Sequence, residues 1–205
     1  MRKLVLIIFG VFALVACGTS TPPSEPIAWR DPPPLLEDES QYLTYTATVT
    51  VPMTSVELRE FLQTEGSLIE FMEPVGSIAP PKERTAISGV WPEKGARRRL
   101  RQIDGHQILE VSLKNEVTDF RYQAFAFTGS AARGVDHIYA DWSLIPTEDG
   151  VQFDWTYRLA PRNAIARIVL RRLRDRELAP FMQGAMDRMA DAVRAAKKQQ
   201  SESLP

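Results

Sequence analysis

Residues 151–159, VQFDWTYRL, alternate without a break. Val151, Phe153, Trp155, Tyr157 and Leu159 fall on one side of an extended chain, and Gln152, Asp154, Thr156 and Arg158 on the other. Side chains of a strand point to opposite faces at each step, so this is an antiparallel strand with one buried side. After Pro161 the period changes. Ile165, Ile168, Val169 and Leu173, then Phe181, Met182, Met186, Met189 and Val193, recur at steps of three and four. That spacing marks a long helix with an apolar stripe, which Pro180 should kink or interrupt. A sheet apolar on one face and a helix apolar along one side each need a cover, and a curved sheet closing on the helix supplies both at once.

Upstream, YLTYTATVTV (42–51) reads as a strand that Pro52 stops. Thr54 or Ser55 can cap a helix carrying Val56, Leu58, Phe61 and Leu62, and a second short helical piece spans Ser67–Met72 before Pro74. SIAPPKE (77–83) reads as a loop. Strands are then expected over Arg84–Val90, Ala96–Ile103, His106–Asn115, Asp119–Phe127, Val135–Pro146 and Val151–Leu159. Turn residues separate most of them, Asp104-Gly105 and Asp149-Gly150 above all. Gly129-Ser130-Ala131-Ala132 reads as a hairpin connection.

This order is strand, two short helices, six strands and one long helix. With TATVTVPMTSVELREFL near its start and YADWSLIPTEDGVQFDWTYRL as its last hairpin, it resembles the SRPBCC superfamily of START-like helix-grip proteins. That superfamily includes polyketide cyclase/dehydrase-type and lipid-transfer members. The resemblance covers about residues 42–196. It implies an α+β fold, a curved antiparallel sheet of about seven strands wrapped around a long C-terminal helix, and an apolar cavity between them. Binders, transfer proteins and enzymes share the fold, so it does not by itself select a function.

The chain begins differently. Arg2 and Lys3 precede an apolar run from Leu4 to Ala16, shorter than the roughly 20 residues a permanent span requires. Leu14-Val15-Ala16-Cys17 resembles the lipobox of bacterial lipoproteins, which implies cleavage after residue 16 and acylation of Cys17, the only cysteine. Two or more acyl chains hold a protein stably on a membrane. Gly18, where an aspartate would favour retention in the inner membrane, leans towards the periplasmic face of the outer membrane. The stretch GTSTPPSEPIAWRDPPPLLEDES (18–40) is proline-rich and reads as an extended tether. The alternative is an N-terminal arm with Trp29 and Leu35 packed back on the domain. The divisions expected are a leader (1–16), lipidated cysteine and tether (17–40), domain (41–198) and disordered tail (199–205).

Few residues suggest chemistry. With Cys17 acylated no thiol remains, and no histidine cluster or acidic loop suggests a metal, so neither metal nor cofactor is expected. The balance of 25 basic and 26 acidic residues does not point to nucleic acid. His106 follows a turn and reads as a surface position. His137, Tyr139 and Asp141 share one strand face, and Ile138, Ala140, Trp142 and Leu144 share the more apolar one. The first row therefore reads as outward; turned inward, it would be a polar cluster able to move protons. ARRRLRQ sets Arg97, Arg99 and Arg101 opposite Arg98. On the long helix Arg167, Arg171, Arg172, Arg174 and Arg176 read as a solvated face or as a surface for anionic headgroups.

Phe120, Tyr122, Phe125 and Phe127 offer ample apolar lining or core. A ligand wall is expected from Trp142, Phe153, Trp155 and Tyr157 together with Met182, Met186 and Met189. The expected function is a membrane-anchored, non-catalytic envelope lipoprotein that binds a hydrophobic small molecule or lipid. The alternatives are a cyclase/dehydratase-type enzyme using the His137 row, and an envelope scaffold.

Overall fold

The computed structural model describes residues 21–64 and 68–202. The expected leader, the lipobox and Cys17 lie outside the described residues. β1 (Leu43–Val51) is followed by α1 (Ser55–Thr64) and a 3₁₀ turn (Leu68–Phe71). Six more strands succeed one another: β2 (Pro81–Ser88), β3 (Arg97–Gln102), β4 (Gln107–Asn115), β5 (Asp119–Phe125), β6 (Val135–Thr147) and β7 (Gly150–Pro161). They form one antiparallel sheet in the order β1-β7-β6-β5-β4-β3-β2. The chain thus leaves one edge at β1, crosses the sheet through α1 and the 3₁₀ turn, and meanders back from β2 to β7. Among the described residues no helix is long and apolar enough to cross a membrane.

Local chemistry explains the ends of the helices. The Thr54 hydroxyl accepts from Glu57 N–H at 3.2 Å while Glu57 Oε2 accepts from Thr54 N–H at 2.7 Å, a reciprocal capping box that starts α1. Asn163 Oδ1 accepts from Ala166 N–H at 2.9 Å and starts α2 (Ala164–Leu173). A π-helical turn (Arg174–Leu178) then joins α2 to α3 (Ala179–Glu202). The break expected at Pro180 therefore takes the form of a widened turn just ahead of it. Proline has no N–H to return to the preceding turn, and the wider turn accommodates that loss.

The extra residue in the π turn shifts the apolar stripe around the helix axis. Phe181, Met182, Met186, Met189 and Val193 are buried as expected, but the buried positions of α2 are Ala166 and Leu170. Ile165, Ile168 and Val169 face solvent. α3 runs to Glu202, through part of what read as a disordered tail.

The proline-rich stretch is not a free tether from residue 21 onward. It forms a strap across the outer face of the sheet. Ile27 N–H donates to Gln107 Oε1 (2.9 Å), Gln107 Nε2 donates to Glu25 O (2.9 Å), and Gln123 Nε2 donates to Pro33 O (2.8 Å). Trp29 meets Phe125 edge to face at 5.3 Å. Its other neighbours include buried Leu109 and Val111, an apolar patch that the strap covers. Arg97 lies 4.8 Å over the Trp29 ring and Arg99 donates to Ile27 O, so this face of the arginine strand holds the strap. Leu35, the other residue considered for packing back, remains exposed. β2 begins at Pro81, three residues before the expected start, and a 3₁₀ turn (Ser130–Arg133) lies within the β5–β6 connection.

Candidate functional site

The inner face of the sheet divides into two halves. Near β1, β7 and α3 it is solid: Phe153, Trp155, Met182, Met186 and Met189 are fully buried against one another and the rest of the core. Near β2 to β6 it is hollow. Alternation sends Ala86 of β2, Leu100 of β3, Ile108 of β4 and Ala124 of β5 into a cavity of about 520 Å³. α1, the 3₁₀ turn at Leu68 and the π turn close it from the helical side. Ser77, Asp104 and Ser130 line its mouth and are exposed, as are Arg84 and Ala86, so the opening continues along the edge strand β2.

Of the expected ligand wall, Trp142 and Tyr157 line this cavity. Phe153, Trp155 and the three methionines do not; they fill the closed half instead. Phe120, Tyr122 and Phe127 line it too, whereas Phe125 faces the strap. Ala126 explains the switch. Its φ of 57° turns the chain after β5, so that Phe127 points inward although Phe125, two residues earlier, points outward.

Four polar groups on the cavity wall converge. Arg98 Nε donates to Glu110 Oε2 at 2.5 Å, and both side chains are largely buried. The Arg98 guanidinium lies 3.6 Å over the Trp91 ring, which shields its other side. Beside this pair, Tyr122 and Tyr157 join their hydroxyls at 3.0 Å. Complete burial pushes the Tyr122 phenol far above its ordinary range, and the neighbouring Tyr157 and the Glu110 charge add to this. Burial raises Tyr157 as well, again with help from Glu110. Both phenols stay protonated and can donate a hydrogen bond. Further along the wall Arg59 of α1 bonds Asn115 and lies 4.7 Å over the Phe120 ring; burial lowers its pKa.

Sequence reading missed Arg59 and Glu110 and left Arg98 as the odd member of a basic strand. The only signal was parity: Arg98 faces opposite to Arg97 and Arg99, and its cross-strand partner is Glu110.

The His137 row lies on the other side of the sheet, away from the cavity. It is not solvated throughout. His137 is buried beneath Tyr42, whose hydroxyl meets Nε2 at 3.1 Å and accepts from Leu36 N–H at 2.8 Å. Nδ1 faces Asp136 Oδ2 at 3.1 Å. Asp141 pairs with Arg158, which also bonds Glu39 Oε2 at 2.9 Å and lies over the Tyr139 ring. The row closes the end of the strap. His106 is likewise buried, with Nδ1 3.2 Å from the Thr128 hydroxyl, and is not the surface position expected. Among the described residues no group of three or more acidic, histidine or cysteine side chains is placed to hold a metal.

Comparison with solved structures gives the same architecture. The protein TTHA0849 from Thermus thermophilus matches with a TM-score of 0.54 and 14% identity, over 75% of this chain and 99% of that one. The di-domain ARO/CYC StfQ from the steffimycin biosynthetic pathway matches at 0.56 and 11%, over 77% of this chain and 52% of that one. The Zhui aromatase/cyclase from Streptomyces sp. R1128 matches at 0.50 and 14%, over 72% and 94%. At these identities the likeness is one of fold. A search of curated protein sequences finds no match. Residues 42–196 match the family model described as polyketide cyclase / dehydrase and lipid transport. With the seven-stranded sheet, the long terminal helix and the hollow between them, the chain belongs to that family.

Proposed function

We propose that this protein binds a hydrophobic small molecule or lipid, without turning it over, and that it does so as an envelope lipoprotein. In this reading acylated Cys17 holds it on the periplasmic face of the outer membrane. The observation that carries the binding reading is the 520 Å³ cavity, apolar over most of its wall, with Arg98–Glu110 and Tyr122–Tyr157 grouped on it. Volumes of about 300–1,000 Å³ suit small-molecule ligands. Burial of apolar ligand surface contributes roughly 25 cal/mol per Å², and a few fixed donors orient the one polar end. Two phenols that resist ionisation and an arginine already neutralised by a carboxylate suit a carbonyl or hydroxyl on such a ligand.

Native mass spectrometry of protein purified from its own membrane, followed by organic extraction, tests this. One apolar molecule per chain is expected in the wild type, and loss of it in Ala124→Phe, which fills the hollow from β5. A wild-type protein that carries nothing and takes up no apolar probe would end the reading. Mass analysis of the N-terminal peptide tests the acyl group separately.

A cyclase-type enzyme is the second reading, and the convergence of Glu110, Tyr122 and Tyr157 on one wall favours it. It would have to use that cluster, since the His137 row does not reach the cavity. Chemical change in a ligand recovered from wild type, but not from Tyr122→Phe, would decide for it.

A further inference from the structure

The part of the cavity mouth at Asp104 and Ser130 lies at the same end of the molecule as the start of the strap and α2. The β3–β4 turn belongs to that end, and there Gly105, with φ of +85°, is approached so closely by Pro22 that a Cβ would sit 3.1 Å from the Pro22 side chain. Gly105 follows Asp104, which lines the mouth. His106 packs on Gly129 beside Ser130, also at the mouth. Gly134, after the same 3₁₀ turn, packs on Leu170 of α2, and Arg162 N–H donates to Gly134 O at 2.9 Å. Leu173, in the last turn of α2, lines the cavity itself.

α2 is unusual for a helix on a folded domain. Ile165, Ile168 and Val169 are 77%, 69% and 63% exposed, and they stand on one side of the helix, opposite buried Ala166 and Leu170. Arg171 and Arg172 are exposed next to them, and AIARIVLRRL contains no acidic residue. Ile103, in the β3–β4 turn at the same end, is 51% exposed. An apolar stripe bordered by arginines is the composition of a helix that lies in a headgroup layer. Monomeric domains rarely leave such a patch bare.

On the lipoprotein reading, chain length limits how far the domain stands from the membrane. Pro22 is five positions from Cys17, a distance of at most about 18 Å when fully extended. A lipid on Cys17 would therefore hold the Gly105 turn, and the mouth beside it, close to the bilayer.

We propose that this end of the domain docks on an anionic phospholipid bilayer, with Ile165, Ile168 and Val169 in the headgroup layer, Arg171 and Arg172 on lipid phosphates, and the cavity mouth at the membrane surface. Ligand then passes between bilayer and cavity with little exposure to water. The short reach to Cys17 rests on the lipoprotein reading; the α2 surface does not.

The test uses the chain from residue 17 with Cys17→Ser, which keeps strap and domain whole and removes the acyl group. It is sedimented with vesicles of phosphatidylethanolamine and phosphatidylglycerol (about 3:1), and with phosphatidylcholine alone. The expected result is salt-sensitive binding to the anionic vesicles that Ile165→Ser/Ile168→Ser weakens at least tenfold. Both positions are solvent-exposed, so the variant should fold, and unchanged uptake of an apolar probe in solution would verify that. Equal binding by variant and wild type, or none by either, overturns the proposal. So does a dimer in analytical ultracentrifugation that the variant dissociates, since a second copy would then cover the stripe. If vesicles are bound but no probe enters the cavity, the ligand-binding reading fails and the docking surface stands.

Discussion

Arg98 and Glu110 face each other across β3 and β4, and each compensates the other's charge where both side chains are largely buried. Removing one partner of a buried pair leaves a charge without its counter-charge and typically costs about 3–5 kcal/mol, whereas replacing both with apolar groups is often close to neutral. Glu110→Ala should therefore lower the urea midpoint severely, and Arg98→Met/Glu110→Leu should restore most of it. Equal losses in the two variants would show that the charge is not the issue. Tyr122 and Tyr157 give a pH signature. Their folded pKa values lie above the unfolded value of about 10, so their contribution is complete below pH 10 and is lost as pH rises towards the folded values. Above pH 10 ionisation of each phenol in the unfolded chain should steepen the decline. Urea unfolding between about pH 9 and 11 should show a shallower fall for Tyr122→Phe/Tyr157→Phe than for wild type. Sequence parity put Arg98 opposite its neighbours, but parity cannot say which face is inside. Nothing in the sequence marks Ala126 for a positive φ, a conformation that glycine usually supplies, so the inward turn of Phe127 was not legible.

Elements were easier to read than their surroundings. Strand alternation and turn residues located six strands after α1 because both signals are local. The π turn was not legible: Ile165 and Ile168 continue the spacing of Met182 and Met186, and only an inserted residue puts them on the far side. The choice between tether and packed arm was not legible for a related reason. Prolines forbid a helix or a central strand, but an extended chain can still pack, and Trp29 had Phe125 to pack on. Full burial of a tryptophan makes its loss worth about 3–5 kcal/mol, so half-buried Trp29→Ala should cost about 2 kcal/mol. Tyr42→Phe, which gives up the hydroxyl between Leu36 and His137, should cost about 1 kcal/mol. Limited proteolysis after Arg30 should accelerate in both. Unchanged cleavage and midpoint would mean that the strap is not held by these contacts.

At the scale of the whole molecule the architecture followed from one amphipathic strand, one amphipathic helix and the order of the pieces between them. The hollow did not. Phe153, Trp155, Met182, Met186 and Met189 carry the right chemistry for a ligand wall but fill their half of the interior completely. The open half is walled partly by small residues, Ala86 and Ala124 among them, whose contribution is the space they leave. The strap also bears on the order of assembly. Its bonds join Ile27 to Gln107 and Tyr42 to His137, 80 and 95 positions apart. The strap thus has nowhere to settle until β4, β5 and β6 exist. A chain that emerges amino end first would carry Trp29 exposed until Leu109, Val111 and Phe125 have followed it.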